Sequence, residues 1–252
     1  TGRDVAAGVA APASFIPDPI LPPVWTTAVR PQCTYGYSMD TRMYKNREEA
    51  GRTLAEELGR FSQAEDAVVY GLARGGVPVA AEVSRALVLP IDVIVVRKVG
   101  APGNPELAVG AITSVGGFVV NDRVAGTMGL SRDDISDRAD AEAQKLASLE
   151  ESIRGDHGRI DPRGRTAILV DDGLATGASM AAAVRAVSES GAKQVTVGVP
   201  VASEQAVERV RELADDVVCL MAPPSFAAVG QWYQEFGQTS NDEARRLLAA
   251  SD

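Results

Sequence analysis

Apolar positions in this chain fall into two alternating rhythms from about residue 46 onward. Short, nearly unbroken Val, Ile, Leu and Ala runs at 66–72, 91–97, 165–171, 195–200 and 217–221 predict buried strands. A parallel strand covered on both faces has no polar side to show. Between these runs the spacing changes to that of helices. Ala50, Leu54, Leu58 and Phe61 share one face with Arg and Glu opposite, and 77–87, 178–190, 204–213 and 241–250 also read as helices. Ser131 caps a long polar helix that runs to about residue 153. Residues 109–113 and 117–121, separated by Ser-Val-Gly, predict an antiparallel ribbon. Strands alternating with helices predict an α/β fold, a parallel sheet with helices on both faces. Ligands of such sheets sit beyond the carboxyl ends of strands, at a topological switch point.

Residues 1–44 break this rhythm. Pro12, Pro17, Pro19, Pro22, Pro23 and Pro31 predict an extended or partly disordered extension, with Trp25, Tyr35 and Tyr37 available to anchor it to a domain spanning 45–252. The 252 residues carry a net charge of −9, and lysine occurs only at 45, 98, 145 and 193. An acidic chain without a basic tract argues against nucleic acid and anionic membrane as partners. Each basic residue in a loop therefore gains interest. No apolar run approaches the length of a membrane span. The chain opens Thr1-Gly2-Arg3-Asp4, and residues 5–13 are too short and weakly apolar to read as a signal peptide. Cys33 and Cys219 make no disulfide framework. Cys219 reads as a core thiol, and the pair points to a reducing, cytoplasmic setting.

Candidate chemistry concentrates in Ala167-Ile168-Leu169-Val170-Asp171-Asp172-Gly173-Leu174-Ala175-Thr176-Gly177-Ala178-Ser179-Met180. A strand ends in two carboxylates, a small-residue loop follows, and a helix begins. The free N–H groups and dipole of that helix start favour an anion. Two carboxylates beside an anion site require neutral donors such as ribose hydroxyls. The bare chemistry is that of a sugar phosphate.

This segment resembles the phosphoribosyl-pyrophosphate (PRPP) binding motif of the type I phosphoribosyltransferases. The resemblance implies that family's fold, a parallel sheet with a β-ribbon loop and a small hood. It implies that Asp171 and Asp172 meet the ribose and that Ala175, Thr176, Gly177, Ala178 and Ser179 hold its 5′-phosphate. Ala175 stands where hypoxanthine-guanine-type enzymes place an acidic base, and adenine-type enzymes carry Ala there. A second loop, Ala73-Arg74-Gly75-Gly76, follows the strand at 66–72 and resembles the family's pyrophosphate loop. Its glycines suit close backbone approach to an anion and strained dihedrals, and Arg74 suits a phosphate. Arg97 and Lys98 end an apolar strand and are expected to project together into the same crevice, on pyrophosphate. The stretch from Val96 to Gly110, rich in Gly and Pro, resembles the flexible catalytic loop of adenine-type members. In that comparison Glu106 takes the place of the acid/base, with Lys98 beside it. Its other reading is a solvated loop carboxylate.

The resemblance implies transfer of ribose 5-phosphate from PRPP to a nitrogenous base, purine-like bases included. Pyrophosphate is released, with Mg²⁺ held indirectly by Asp171 and Asp172 through ribose hydroxyls or water. A homodimer is the expected assembly. The acceptor has no matching motif. The hood is expected from residues 25–44 and from 222–226 through Trp232-Tyr233, with Phe226 open to stacking on a heterocycle or to packing beneath the C-terminal helix. His157, the one histidine, lies in a Gly/Asp-rich loop and is expected to be exposed; it forms no Ser/His pair and no zinc cluster. Ser179 lies too far beyond the strand for a nucleophile elbow. The charged segment 132–151 reads as one solvated helix face. A non-catalytic PRPP- or nucleotide-binding regulator on the same fold is the alternative reading.

Overall fold

The structure, a computed structural model, describes residues 43–250, with the backbone alone at Pro105 and Glu106. The Pro-rich segment, with Trp25, Cys33, Tyr35 and Tyr37, lies outside the described residues.

Five strands form a parallel sheet: β1 (Ala67–Leu72), β2 (Ile91–Ile94), β6 (Thr166–Val170), β7 (Gln194–Val201) and β8 (Asp216–Met221), in the order β2-β1-β6-β7-β8. The register sets Val69 opposite Ile91 on one side and Ile168 on the other. Strands β1, β2, β6 and β7 bury both faces, as their continuous apolar runs predict, and the edge strand β8 is half-buried. Val69, Ile168 and Val170 join one core with helices α1 (Arg47–Glu57), α2 (Gly76–Leu87), α4 (Arg132–Arg154) and α7 (Asn241–Ala249). Val68, Tyr70, Leu169 and Val197 join the other, with α5 (Ala178–Glu189) and α6 (Glu204–Arg211). The chain reverses direction across the sheet between β1 and β6. Their carboxyl ends are the switch point where a ligand is expected.

Helix starts are set locally. Asn46 accepts from the Glu49 amide at 3.0 Å to begin α1. Capping boxes Ser131/Asp134 and Ser240/Glu243 begin α4 and α7.

A second sheet of β3 (Val96–Ala101), β4 (Asn104–Thr113) and β5 (Phe118–Val120) is antiparallel. It differs from the sequence expectation in one way. The apolar run at 91–97 is not one strand: at Val95 the chain leaves the parallel sheet, and Val95 exchanges bonds with Ser114 Oγ and the Ser114 amide. The stretch resembling the family's catalytic loop is a hairpin, the β-ribbon that the resemblance implies, and it is paired along most of its length. Val99, Ala101 and Val109 are buried along it, Gly103 turns it at φ +73°, and a bulge at Gly100 absorbs the mismatch. A short helix, α3 (Asp122–Met128), was not anticipated; Asn121 caps it through the Val124 amide.

The fully solvated reading of α4 also needs correction. Near its C-terminus Glu150 and Arg154 are buried, and Arg154 binds Asp92 of β2 and the Val93 carbonyl. His157 is half-buried rather than exposed, with Nε2 3.0 Å from the Ile91 carbonyl. No helix among the described residues is long and apolar enough to cross a membrane.

Candidate active site

The loop after β1 and the turn after β6 lie side by side at the switch point. Gly75 and Gly76 are required there by space. Gly75 has an ordinary helical φ of −61°, yet a Cβ on it would lie 2.2 Å from Asp172 Oδ2. A Cβ on Gly76 would lie 2.6 Å from the Val170 carbonyl. The acid-pair turn nests into the glycine loop, so a side chain at either glycine would wedge them apart. The expectation of strained dihedrals does not hold at these two residues.

Asp171 and Asp172 end β6. Asp171 Oδ1 accepts the Asp172 amide at 2.9 Å. Withdrawal from water, reinforced by the charge of Asp172, pushes the Asp171 carboxyl well above the usual carboxylate range. Burial also raises Asp172, and Arg47 opposes the rise. In the sequence Arg47 is one of the polar residues opposite the apolar face of α1. In the structure its Nε and Nη2 both reach Asp172 Oδ2 at 2.8 Å. Its Nη1 donates to the Gly237 carbonyl at 2.7 Å, and its guanidinium lies 4.0 Å from the Phe236 ring centre.

Above this floor sits the described part of the hood. Tyr233 donates to the Asp172 carbonyl at 2.6 Å and stacks on Phe236 at 5.0 Å. Burial, then the nearby Asp172 charge, raises the Tyr233 hydroxyl far above the ordinary tyrosine range. Tyr44 pairs with Tyr233 as an isolated bridge, joining the two segments expected to form the hood where both are described. Phe226 and Trp232 are half-buried against Tyr44, Ala50, Val201 and Tyr233. Both pack on this cluster and both keep part of their surface open.

The loop of Ala175, Thr176 and Gly177 turns from β6 into α5. Gly177, at φ +69°, has both the conformation and the crowding that exclude a side chain, since a Cβ would lie 3.1 Å from the Ala206 carbonyl. Ser203 Oγ donates to the Ala175 carbonyl at 2.7 Å and Arg209 to the Thr176 carbonyl at 2.8 Å. With those acceptors tied back to α6, donors prevail at the helix start. The amides of Ala178 and Ser179 belong to a first turn that lacks intrahelical acceptors, and Thr176 Oγ1 lies 3.4 Å from the first of them.

The candidate cations divide. Arg74 is exposed, with one 3.4 Å contact to Asn241 Oδ1. Arg97 and Lys98 do not project together into one crevice, because neighbours on a strand face opposite ways. Arg97 is bound to Glu142 of α4 at 2.6 and 2.8 Å. Donation from Lys145 and Arg97 holds the Glu142 carboxyl below its usual range. Lys98 is exposed and lines a cleft of about 350 Å³ beside the start of α5, with Ser179, Arg185 and Arg209. The Glu106 side chain lies outside the described residues; its backbone belongs to β4.

A sequence-family model, the phosphoribosyl transferase domain, matches residues 41–233. Proteins from two strains of Mycobacterium tuberculosis, both named for phosphoribosyl transfer, are 44% identical over 210 residues, 82% of this chain and 46% of their own length. The chain thus spans about half the length of the curated relatives it matches. The crystal structure of the protein TT1426 from Thermus thermophilus aligns with a TM-score of 0.74 and 41% identity, covering 82% of this chain and 98% of that one.

Proposed function

This chain belongs to the phosphoribosyl transferase domain family, and from that premise we propose that it moves ribose 5-phosphate from PRPP to a nitrogenous base. The observation that carries this reading is the contact of the two loops at the switch point, where the glycine loop after β1 closes against the acid pair after β6. One loop offers amides and Arg74 to a pyrophosphate. The other offers carboxylates to ribose hydroxyls and a helix start to a 5′-phosphate. PRPP has those three parts in that order.

In the proposed reaction the bond from the anomeric carbon to pyrophosphate breaks, and the electron pair leaves with pyrophosphate. The acceptor nitrogen forms the new bond and gives up its proton, with Glu106 as the proposed base. Arg74 and Lys98 stabilise the departing charge; Arg97, engaged by Glu142, acts at most through the ribbon. Phe226, with its open surface, is the candidate to stack on the acceptor, and the purine-like class is the first to try.

The donor set fits magnesium that arrives with its substrate. The adjacent carboxylates of Asp171 and Asp172 would hold it indirectly, through ribose hydroxyls or water. When bound, the ion would draw negative charge off the pyrophosphate oxygens.

The test is pyrophosphate release from PRPP and Mg²⁺ across purines, pyrimidines and related heterocycles. Release with one class of base supports transfer. Saturable PRPP binding without release for any base would replace it with the regulatory reading, and no PRPP binding at all would remove both.

A further inference from the structure

Asp172 does not stand in the site as a free carboxylate. Its Oδ2 takes two donors from Arg47, and the space a side chain at Gly75 would fill is occupied by the same oxygen. Arg47 and Asp172 are nearly buried, at 11% and 13% side-chain exposure. The guanidinium is engaged on three sides: Asp172 on one edge, the Gly237 carbonyl on another, and the Phe236 ring 4.0 Å away. Phe236 in turn stacks on Tyr233, whose hydroxyl returns to the Asp172 carbonyl. A planar, always-charged fork is the side chain suited to such a junction, because a lysine's three donors radiate from one nitrogen and present neither two separate edges nor a flat face to the ring.

We propose that Arg47 is a positioning residue of the ribose site, holding the Asp172 carboxylate beside Asp171 so that the acid pair is preset for the ribose hydroxyls. The proposal rests on the PRPP reading above. Asp172 is the point where the glycine loop, the hood and α1 meet. Arg47 acts through Asp172, so the two residues form one functional unit although 125 positions separate them.

The experiment is calorimetric titration of the full chain with PRPP plus Mg²⁺ and, separately, with inorganic pyrophosphate, which lacks the ribose. The variants are Arg47→Met, Arg47→Lys, Asp172→Asn, Asp171→Asn and the double Arg47→Met/Asp172→Asn, each checked for folding by circular dichroism. Arg47→Met is expected to weaken PRPP by about tenfold or more, since removing one partner of a buried pair strands the other. Pyrophosphate affinity is expected to stay within about threefold, and Arg47→Lys to recover part of the loss. The double variant is expected to bind PRPP no worse than Arg47→Met alone, because residues acting as one unit do not add. Asp171→Asn is expected to weaken PRPP and spare pyrophosphate.

Wild-type PRPP affinity in Arg47→Met, or single losses that multiply in the double variant, would overturn the proposal. So would an equal fall for both ligands, which marks general loosening. If Arg47→Met fails to fold, Arg47→Lys carries the same comparison. If the wild-type chain itself does not bind PRPP, the PRPP reading falls, and that outcome is read before any variant.

Discussion

At the scale of single residues, the site depends on atoms that are missing as much as on those present. Gly75→Ala places a methyl where Asp172 Oδ2 now lies, at 2.2 Å. Either the carboxylate or the glycine loop must move, at about 1–3 kcal/mol by the usual cost of overpacking. We expect Gly75→Ala to lose PRPP affinity by about tenfold or more while remaining folded. Gly59→Ala is the matched control, since nothing lies within 4 Å of its added Cβ, and it should bind as the wild type does. A separate expectation concerns Cys219, whose half-buried thiol donates to the Met221 carbonyl and is pushed by burial up to about 12. The thiolate is the reactive form, so Cys219 should resist iodoacetamide at pH 8 and become labelled in urea, with peptide mapping separating it from Cys33. Rapid labelling in the folded protein would contradict that. The acid pair, the glycine loop and the helix-start loop were legible because each is a contiguous string whose chemistry is local. Arg47 and Glu142 were not, because their meaning comes from partners far along the chain, and Tyr233 was legible as a hood residue but not as a donor to Asp172. Arg47 reads as polar-face charge until the fold delivers it to Asp172.

At the scale of elements, periodicity identified every strand of the parallel sheet, since a strand buried on both sides has an uninterrupted signature. Elements with mixed environments were harder. The hairpin of β3 and β4 carries Gly and Pro at its turn and Lys98 on an open face, so its composition resembles a loop although it is paired along most of its length. The same is true of α4, whose charges are mostly solvated. Its last turns pass β2, where Arg154 meets Asp92, which is 2% exposed, and Glu150, which also binds Arg159. Asp92 is further satisfied by the Val93 and Ile160 amides. The group therefore joins α4, β2 and the loop leading to β6. Arg154→Met strands a buried carboxylate and should cost about 3–5 kcal/mol. For a domain of this size that is a fall in Tm of about 10 °C. Asp92→Asn combined with Arg154→Met should recover part of the loss, since the carboxylate that then remains, Glu150, keeps its ion pair with Arg159. Thermal melts of the three proteins check this; an Arg154→Met melt equal to the wild type would show that the network adds nothing.

At the scale of the whole molecule, the candidate site is where three separately formed parts meet. The loop after β1 begins α2, the turn after β6 begins α5, and residues 233–237 return from beyond β8 to cover them. Each part packs on a different portion of the two cores that flank the sheet. A ligand spanning the loops and reaching the hood would restrain elements from both faces at once, and its binding energy would add to the stability of the folded state alone. At PRPP about 100-fold above its dissociation constant, that linkage is worth about 2.7 kcal/mol, or roughly 5–10 °C in Tm for a domain of this length. We expect such a rise with PRPP and Mg²⁺. Gly75→Ala, which fails at one loop only, should show a much smaller rise from its own starting Tm. Ribose 5-phosphate lacks the pyrophosphate that the β1 loop is proposed to hold, and should give an intermediate rise. Equal rises with PRPP and ribose 5-phosphate would mean that the glycine loop holds no ligand, and would confine binding to the acid pair and the start of α5.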